Sequence, residues 1–150
     1  MRVVRLLDTA LDPAAELARF AAAHAGAGGL VSFLGQVRGG EGIEALDLRH
    51  FPPLTLPGME ALADSASARW RLDGIAILHR IGEMPPAAPI VLVAAAARHR
   101  RDAFSAVDYA MDHLKSDSWF WKREKRDGAW RWIEPRAEDG ADLARWAPVT

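Results

Sequence analysis

The sequence predicts a single α+β domain over residues 1–150, with helices packed on a mostly antiparallel sheet. Three observations carry that expectation. Segments of strand and helix character follow one another in the order β-α-β-β-α-β-β-α-β-β. Glycine- and proline-rich breaks separate them, with no repeat, linker or low-complexity tract between. Half of the residues (50%) are hydrophobic, which suffices for one core.

Residues 3–7 read as a short strand. Asp12 and Pro13 open a helix running to about His24, the proline at a first-turn position where its missing N–H costs nothing. Gly26, Gly28 and Gly29 stop it. Residues 30–37 read as a buried strand, 39–42 as a flexible loop, and 43–51 as a second strand in hairpin-like succession. Pro52, Pro53 and Pro57 break the chain, and a helix over about 58–70 follows. Residues 75–81 form a strand, with Pro85, Pro86 and Pro89 marking the turn after it. The nearly continuous apolar run 90–97 predicts a central strand. Asp102 caps a helix through roughly Ser116. Residues 120–126 and 130–134 close the domain as a hairpin around Asp127-Gly128.

Composition narrows the function. A formal net charge of −1 points to neither nucleic acid nor membrane, so any anion site must be a local cluster. No apolar run approaches the ~20 residues that span a bilayer, and the first residues carry no cleavage pattern of a signal peptide, so a cytoplasmic location is expected. The histidines show no metal-ligand spacing, no nucleotide-binding loop is present, and neither metal nor cofactor is expected. There are no cysteines. If the chain moves sulfur, the sulfur cannot ride on its own side chains, and a partner must bring it.

Three clusters carry candidate chemistry. At helical spacing Phe104, Asp108, Met111 and Lys115 share one stripe, which ends in a last-turn cation. Such a lysine equally reads as decoration that complements the helix dipole and pairs with Asp112. On the strand 120–126, Phe120, Lys122, Glu124 and Arg126 share one face and Trp121, Arg123 and Lys125 the other. An apolar wall beside Lys122 would desolvate its amine, although an amphipathic edge strand has the same pattern. His99-Arg100-Arg101, at the start of the third helix, combines free backbone N–H groups with guanidinium groups and suits a phosphate, or else is a solvated loop. Arg38, beside a glycine-rich loop, invites the same two readings. His50 and His79 lie within strands and read as core or rim residues.

Taken in order, several stretches resemble the large, catalytic subunit of molybdopterin synthase, the MoaE family. They are Gly29-Leu30-Val31-Ser32-Phe33-Leu34-Gly35-Gln36-Val37-Arg38, Leu48-Arg49-His50-Phe51-Pro52, His79-Arg80-Ile81-Gly82-Glu83, His99-Arg100-Arg101-Asp102-Ala103-Phe104, Met111-Asp112-His113-Leu114-Lys115 and Phe120-Trp121-Lys122-Arg123-Glu124. The resemblance implies an α/β hammerhead fold and a sulfur transfer. Its substrate would be cyclic pyranopterin monophosphate. Its sulfur donor would be a small ubiquitin-like carrier with a thiocarboxylate on its C-terminal glycine, and two transfers would build the dithiolene. By the same resemblance Lys115 and Lys122 match the two family lysines. Substrate contacts fall on Gln36, Val37, Arg38, His99, Arg100, Lys115, Lys122, Arg123, Glu124 and Arg136, the last following Trp132-Ile133-Glu134. A homodimer flanked by two carriers, a heterotetramer, is implied. The chain departs from the family's pattern at Gln36, at Gly39-Gly40-Glu41, at Phe51-Pro52-Pro53-Leu54 and at Trp119.

A rival reading is a non-catalytic anion or single-stranded nucleic-acid module, because residues 115–136 interleave basic and aromatic side chains. Asp117, Glu124, Asp127 and Glu134 within the same stretch oppose it.

Overall fold

Two four-stranded sheets and four helices make up residues 1–116 and 119–147, which the computed structural model describes. Sheet A runs β1 (Arg2–Leu7), β4 (Leu72–Arg80), β6 (Pro89–Ala97), β2 (Gly29–Gln36). Within it β1 and β4 are parallel, and the other neighbours are antiparallel. Sheet B runs β5 (Gly82–Met84), β3 (Ile43–His50), β7 (Phe120–Arg126), β8 (Ala129–Ile133), antiparallel throughout.

The two faces of sheet A carry different helices. Ile75, Ile77, Val91, Val93, Ala95 and Ala97 pack with α2 (Pro52–Arg69) and α3 (Arg100–Ser116) in the main core. Ala76, Ala94 and Ala96 point the other way, onto Phe20 of α1 (Pro13–Ala23). Period-two alternation in two strands buried on both sides explains their unbroken apolar character. The alanines of β6 are small enough for helices to approach from either face. The expectation of an α+β domain with a central strand over 90–97 therefore holds.

Several local expectations do not. The strands β2 and β3 form no hairpin, since β2 pairs with β6 and β3 with β7 in the other sheet. Nor is β2 buried. It is an edge strand, with Phe33 41% and Leu34 38% exposed. The prolines expected to break the chain begin α2 instead. Pro52 and Pro53 occupy its first positions, where no intrahelical N–H is needed, and only Pro57 lies further inside. Helix α3 starts at Arg100, so Asp102 sits within its first turn rather than at the cap. Strand β5 and helix α4 (Ala137–Ala144) were not anticipated. Asp117 lies outside the described residues.

Two close approaches set the entry to β7. The buried Thr55 hydroxyl accepts from the Phe51 N–H (3.2 Å) at the start of α2 and donates to the Trp119 carbonyl (2.7 Å). Beside it, a Cβ on Gly58 would stand 2.5 Å from the Trp119 ring, so the tryptophan lies against bare helix backbone. At the far end of β7 the chain reverses through Asp127 (φ 52°) and Gly128 (φ 82°), both left-handed, which matches the right-handed twist of the flanking strands.

Candidate active site

Strand β7 delivers Lys122 on the face it shares with Phe120 and Glu124; Lys122 stands opposite Leu48 of β3 and Ile133 of β8. Lys115 arrives from the last turn of α3, before the chain turns into β7. Protein packed around Lys115 withholds water from its amine although the residue keeps exposed surface, and this desolvation lowers its pKa below the ordinary lysine value. The positive charge of Lys122 adds to the effect, as do those of Arg136 and Arg38, while Asp139 opposes it. Three cations from separate parts of the fold are thus near enough to act on the Lys115 amine, in a chain whose net charge is −1. Such a patch suits an anion, and an amine with a depressed pKa suits proton transfer.

His79, read from the sequence as a core or rim residue, is a member of this cluster. It is 7% exposed, and its ring stacks on Phe120 with centroids 4.0 Å apart and planes at 18°. Its Nδ1 lies 2.9 Å from the Arg80 carbonyl, so the neutral ring carries its proton there and leaves Nε2 as the acceptor. Burial, followed by the charges of Lys115 and Lys122, pushes its pKa down to about 4, against a favourable contribution from the Arg80 carbonyl. The imidazole is therefore neutral at physiological pH.

Arg136 precedes α4 and donates to Asp139 Oδ1 at 3.0 Å. The Asp139 carbonyl in turn accepts from Ser116 Oγ at 2.7 Å, which ties the first turn of α4 to the end of α3. Further along, Arg145 bridges Asp108 (2.6 Å) and Asp112 (2.7 Å), and the Trp146 indole donates to Asp112 at 2.5 Å.

Of the residues expected at the site, Arg38, Lys115, Lys122 and Arg136 come together. Gln36 is exposed at the end of β2. Val37 has its side chain in a small core with Leu48 and Met84, and its N–H and C=O are already taken by Ala88 and Ala87. Arg123 points to the opposite face of sheet B, where it donates to the buried Asp47 (2.8 Å) and lies 4.4 Å over the Trp130 ring. Glu124 shares the Lys122 face but is paired with Arg126 at 3.2 Å. His99 and Arg100 are exposed at the N-terminal end of α3, about 22 Å along the helix from Lys115 at 1.5 Å per residue.

Comparison with known proteins gives a consistent family. Residues 6–117 match the family described as MoaE protein. The chain is 38% identical over 153 residues to the molybdopterin synthase catalytic subunit of Ralstonia nicotianae, covering 100% of this chain and 87% of that relative. It is 42% identical over 133 residues to the one of Cereibacter sphaeroides, covering 88% and 91%. Among solved structures it superposes on the molybdopterin biosynthesis MoaE protein of Burkholderia ambifaria with a TM-score of 0.82 at 38% identity, over 97% of this chain and 98% of that one. The molybdopterin synthase of Staphylococcus aureus gives a TM-score of 0.72 at 26% identity, over 89% and 95%.

Proposed function

The chain belongs to the MoaE family, as a molybdopterin synthase catalytic subunit of molybdenum cofactor biosynthesis, and we propose that its Lys115–Lys122 cluster is where sulfur passes from a carrier's thiocarboxylate to cyclic pyranopterin monophosphate. The observation that carries this reading is the desolvated Lys115 amine within a patch of Lys122, Arg136 and Arg38. The arginines suit the substrate phosphate, which a fork of N–H donors can hold in a fixed orientation. Lys115, with its lowered pKa, is the group best placed to pass a proton at the reacting carbon, and Lys122 holds the carrier's acyl end as the thiocarboxylate sulfur bonds to the pterin and water takes the place of that sulfur on the acyl carbon, leaving the carrier as a carboxylate. The absence of cysteine assigns the sulfur to the carrier. This chemistry takes place in the cytoplasm. Among the described residues no helix is long and apolar enough to cross a membrane.

The position of His99 and Arg100 supports a homodimer. Both lie too far along α3 to share a substrate with Lys115 of the same chain. Between them α3 exposes Phe104 (55%), and with Met111 and Val107 it borders an open groove of about 310 Å³ against Val31 and Phe33 of β2. Two copies joined antiparallel along this groove would bring His99 and Arg100 of one to Lys115 of the other. The basic and aromatic stretch behind the nucleic-acid reading is, by contrast, divided between two faces of sheet B, with Arg123 and Lys125 on the side away from Lys122.

The test is single-turnover conversion of cyclic pyranopterin monophosphate with preformed thiocarboxylated carrier, read by mass spectrometry of the pterin. A dithiolene product that requires both chain and carrier is expected. Product from the chain without carrier, inorganic sulfide being excluded, overturns the proposal.

A further inference from the structure

Helix α4 brings three carboxylates near the site, Glu138, Asp139 and Asp142, and only Asp139 is buried, at 8% exposure. Its side chain holds the Arg136 guanidinium at 3.0 Å, and its backbone carbonyl is fixed by Ser116, the residue after Lys115. The residue is therefore held at two points where the end of α3 meets α4, its carboxylate by Arg136 and its backbone by Ser116. Among the described residues, the other charges that act on Lys115 are the cations Lys122, Arg136 and Arg38.

We propose that Asp139 is a positioning residue of the active site: it fixes Arg136 for an incoming anion and is the counter-charge that Lys115 feels across the α3–α4 corner. This rests on the reading of Lys115 as the proton-transfer group. The physical logic is one of balance. A lysine packed among three cations loses its proton readily, and one fixed carboxylate restrains that loss without forming a direct ion pair that would immobilise the amine. Arg136 and Asp139 act on Lys115 with opposite sign. An anion that draws Arg136 to itself would change that balance at the moment of binding.

The test reads the titration of the Lys115 side chain by NMR on the full chain, its signal identified by its loss in Lys115→Ala. In Asp139→Asn, which keeps the shape and removes the charge, the Lys115 midpoint should move to lower pH. In Arg136→Ala, which removes a cation and frees the carboxylate, it should move to higher pH. Glu138→Gln, on the exposed part of the same turn, and Ser116→Ala, which loosens the tie but keeps the charge, should leave it nearly in place. An unmoved or raised midpoint in Asp139→Asn overturns the proposal, and so does an equal shift in Glu138→Gln. If Asp139→Asn does not fold, the direction in Arg136→Ala decides, and a null or acidward shift overturns it. Turnover supplies the second readout. Asp139→Asn should raise KM on the order of tenfold through the loosened Arg136, the scale of one charge-assisted hydrogen bond. A titration that moves as expected beside a fully active Lys115→Ala would instead overturn the active-site reading, and with it the catalytic setting of Asp139.

Discussion

The imidazole of His79 lies face to face with Phe120, 4.0 Å between centroids, and so joins β4, an inner strand of one sheet, to the lysine-bearing strand of the other. Between them the two rings form one wall of the cationic patch, and the wall must stay uncharged to pack there.

That neutrality sets a pH dependence. The folded pKa of about 4 lies below the ordinary 6.5, so the unfolded chain binds a proton that the folded chain refuses. The stability contributed by the neutral ring is complete above pH 6.5 and is lost as pH falls from 6.5 toward 4, roughly 3 kcal/mol across the whole window. Urea unfolding at pH 7 and pH 5 should show the loss in the wild type, and His79→Phe, which keeps the stack, should be flatter. Parallel pH profiles for the two proteins would refute it.

Lys115→Ala should lower the single-turnover rate on the order of a hundredfold or more while leaving fold and carrier binding intact. Lys115→Arg should not restore it, because a guanidinium keeps its proton. Lys122→Ala should act in the same direction with a smaller loss. Lys125→Ala, on the opposite face of β7 and 3.8 Å from Glu44, is the control. Near-wild-type rates for Lys115→Ala, or an equal loss for Lys125→Ala, would defeat the assignment.

Thr55→Val keeps the shape of a fully buried side chain but strands the Phe51 N–H and the Trp119 carbonyl. A destabilisation of roughly 1–3 kcal/mol is expected for two such orphaned groups. Because Trp119 leads into β7, the same variant should lower turnover by displacing Lys122. A variant as stable as wild type in thermal melts would show that water replaces both bonds.

Arg100→Ala tests the homodimer as well as the contact. Substrate affinity should fall by about 1.5–3 kcal/mol, the worth of a charge-assisted hydrogen bond. In a mixed dimer with Lys115→Ala, activity should return where one site combines the intact halves of the two chains. Failure of that mixture to recover activity, with dimers demonstrated by mass, would rule out sharing across the pair.

Much of this was legible in the sequence where a local rule determines the outcome. Asp127-Gly128 had to turn, and β6 had to be central, because left-handed dihedrals and an unbroken apolar run leave few alternatives. The stripe ending in Lys115 follows from helical period alone. What stayed hidden depends on where segments meet. The loop around Gly40 looks like a hairpin turn, yet its flanking strands belong to different sheets, a choice made by pairing partners far along the chain. Pro52 and Pro53 look like breakers, and their tolerance at a helix start shows only once the helix is placed. His79 sits in a run buried on both faces, which carries no periodic sign of the Phe120 ring it stacks on or of the two lysine charges it feels. Asp139 lies on a short helix with no strong pattern, and its meaning comes from the corner with α3.

The parallel pairing of β1 with β4 has a kinetic consequence. Arg2 is in register with Ile75, so the first strand made has no partner until half the chain has been synthesised, and no local hairpin can recruit it. Joining them requires closing a long loop before any ladder bond rewards it, which slows folding relative to domains built from neighbouring contacts. Sheet B, whose β7–β8 hairpin closes through a two-residue turn, can begin at once. When the full-length chain refolds, the β7–β8 hairpin that holds Lys122 is thus among the earliest structures available, whereas the β1–β4 and β3–β7 ladders each wait for a long loop to close.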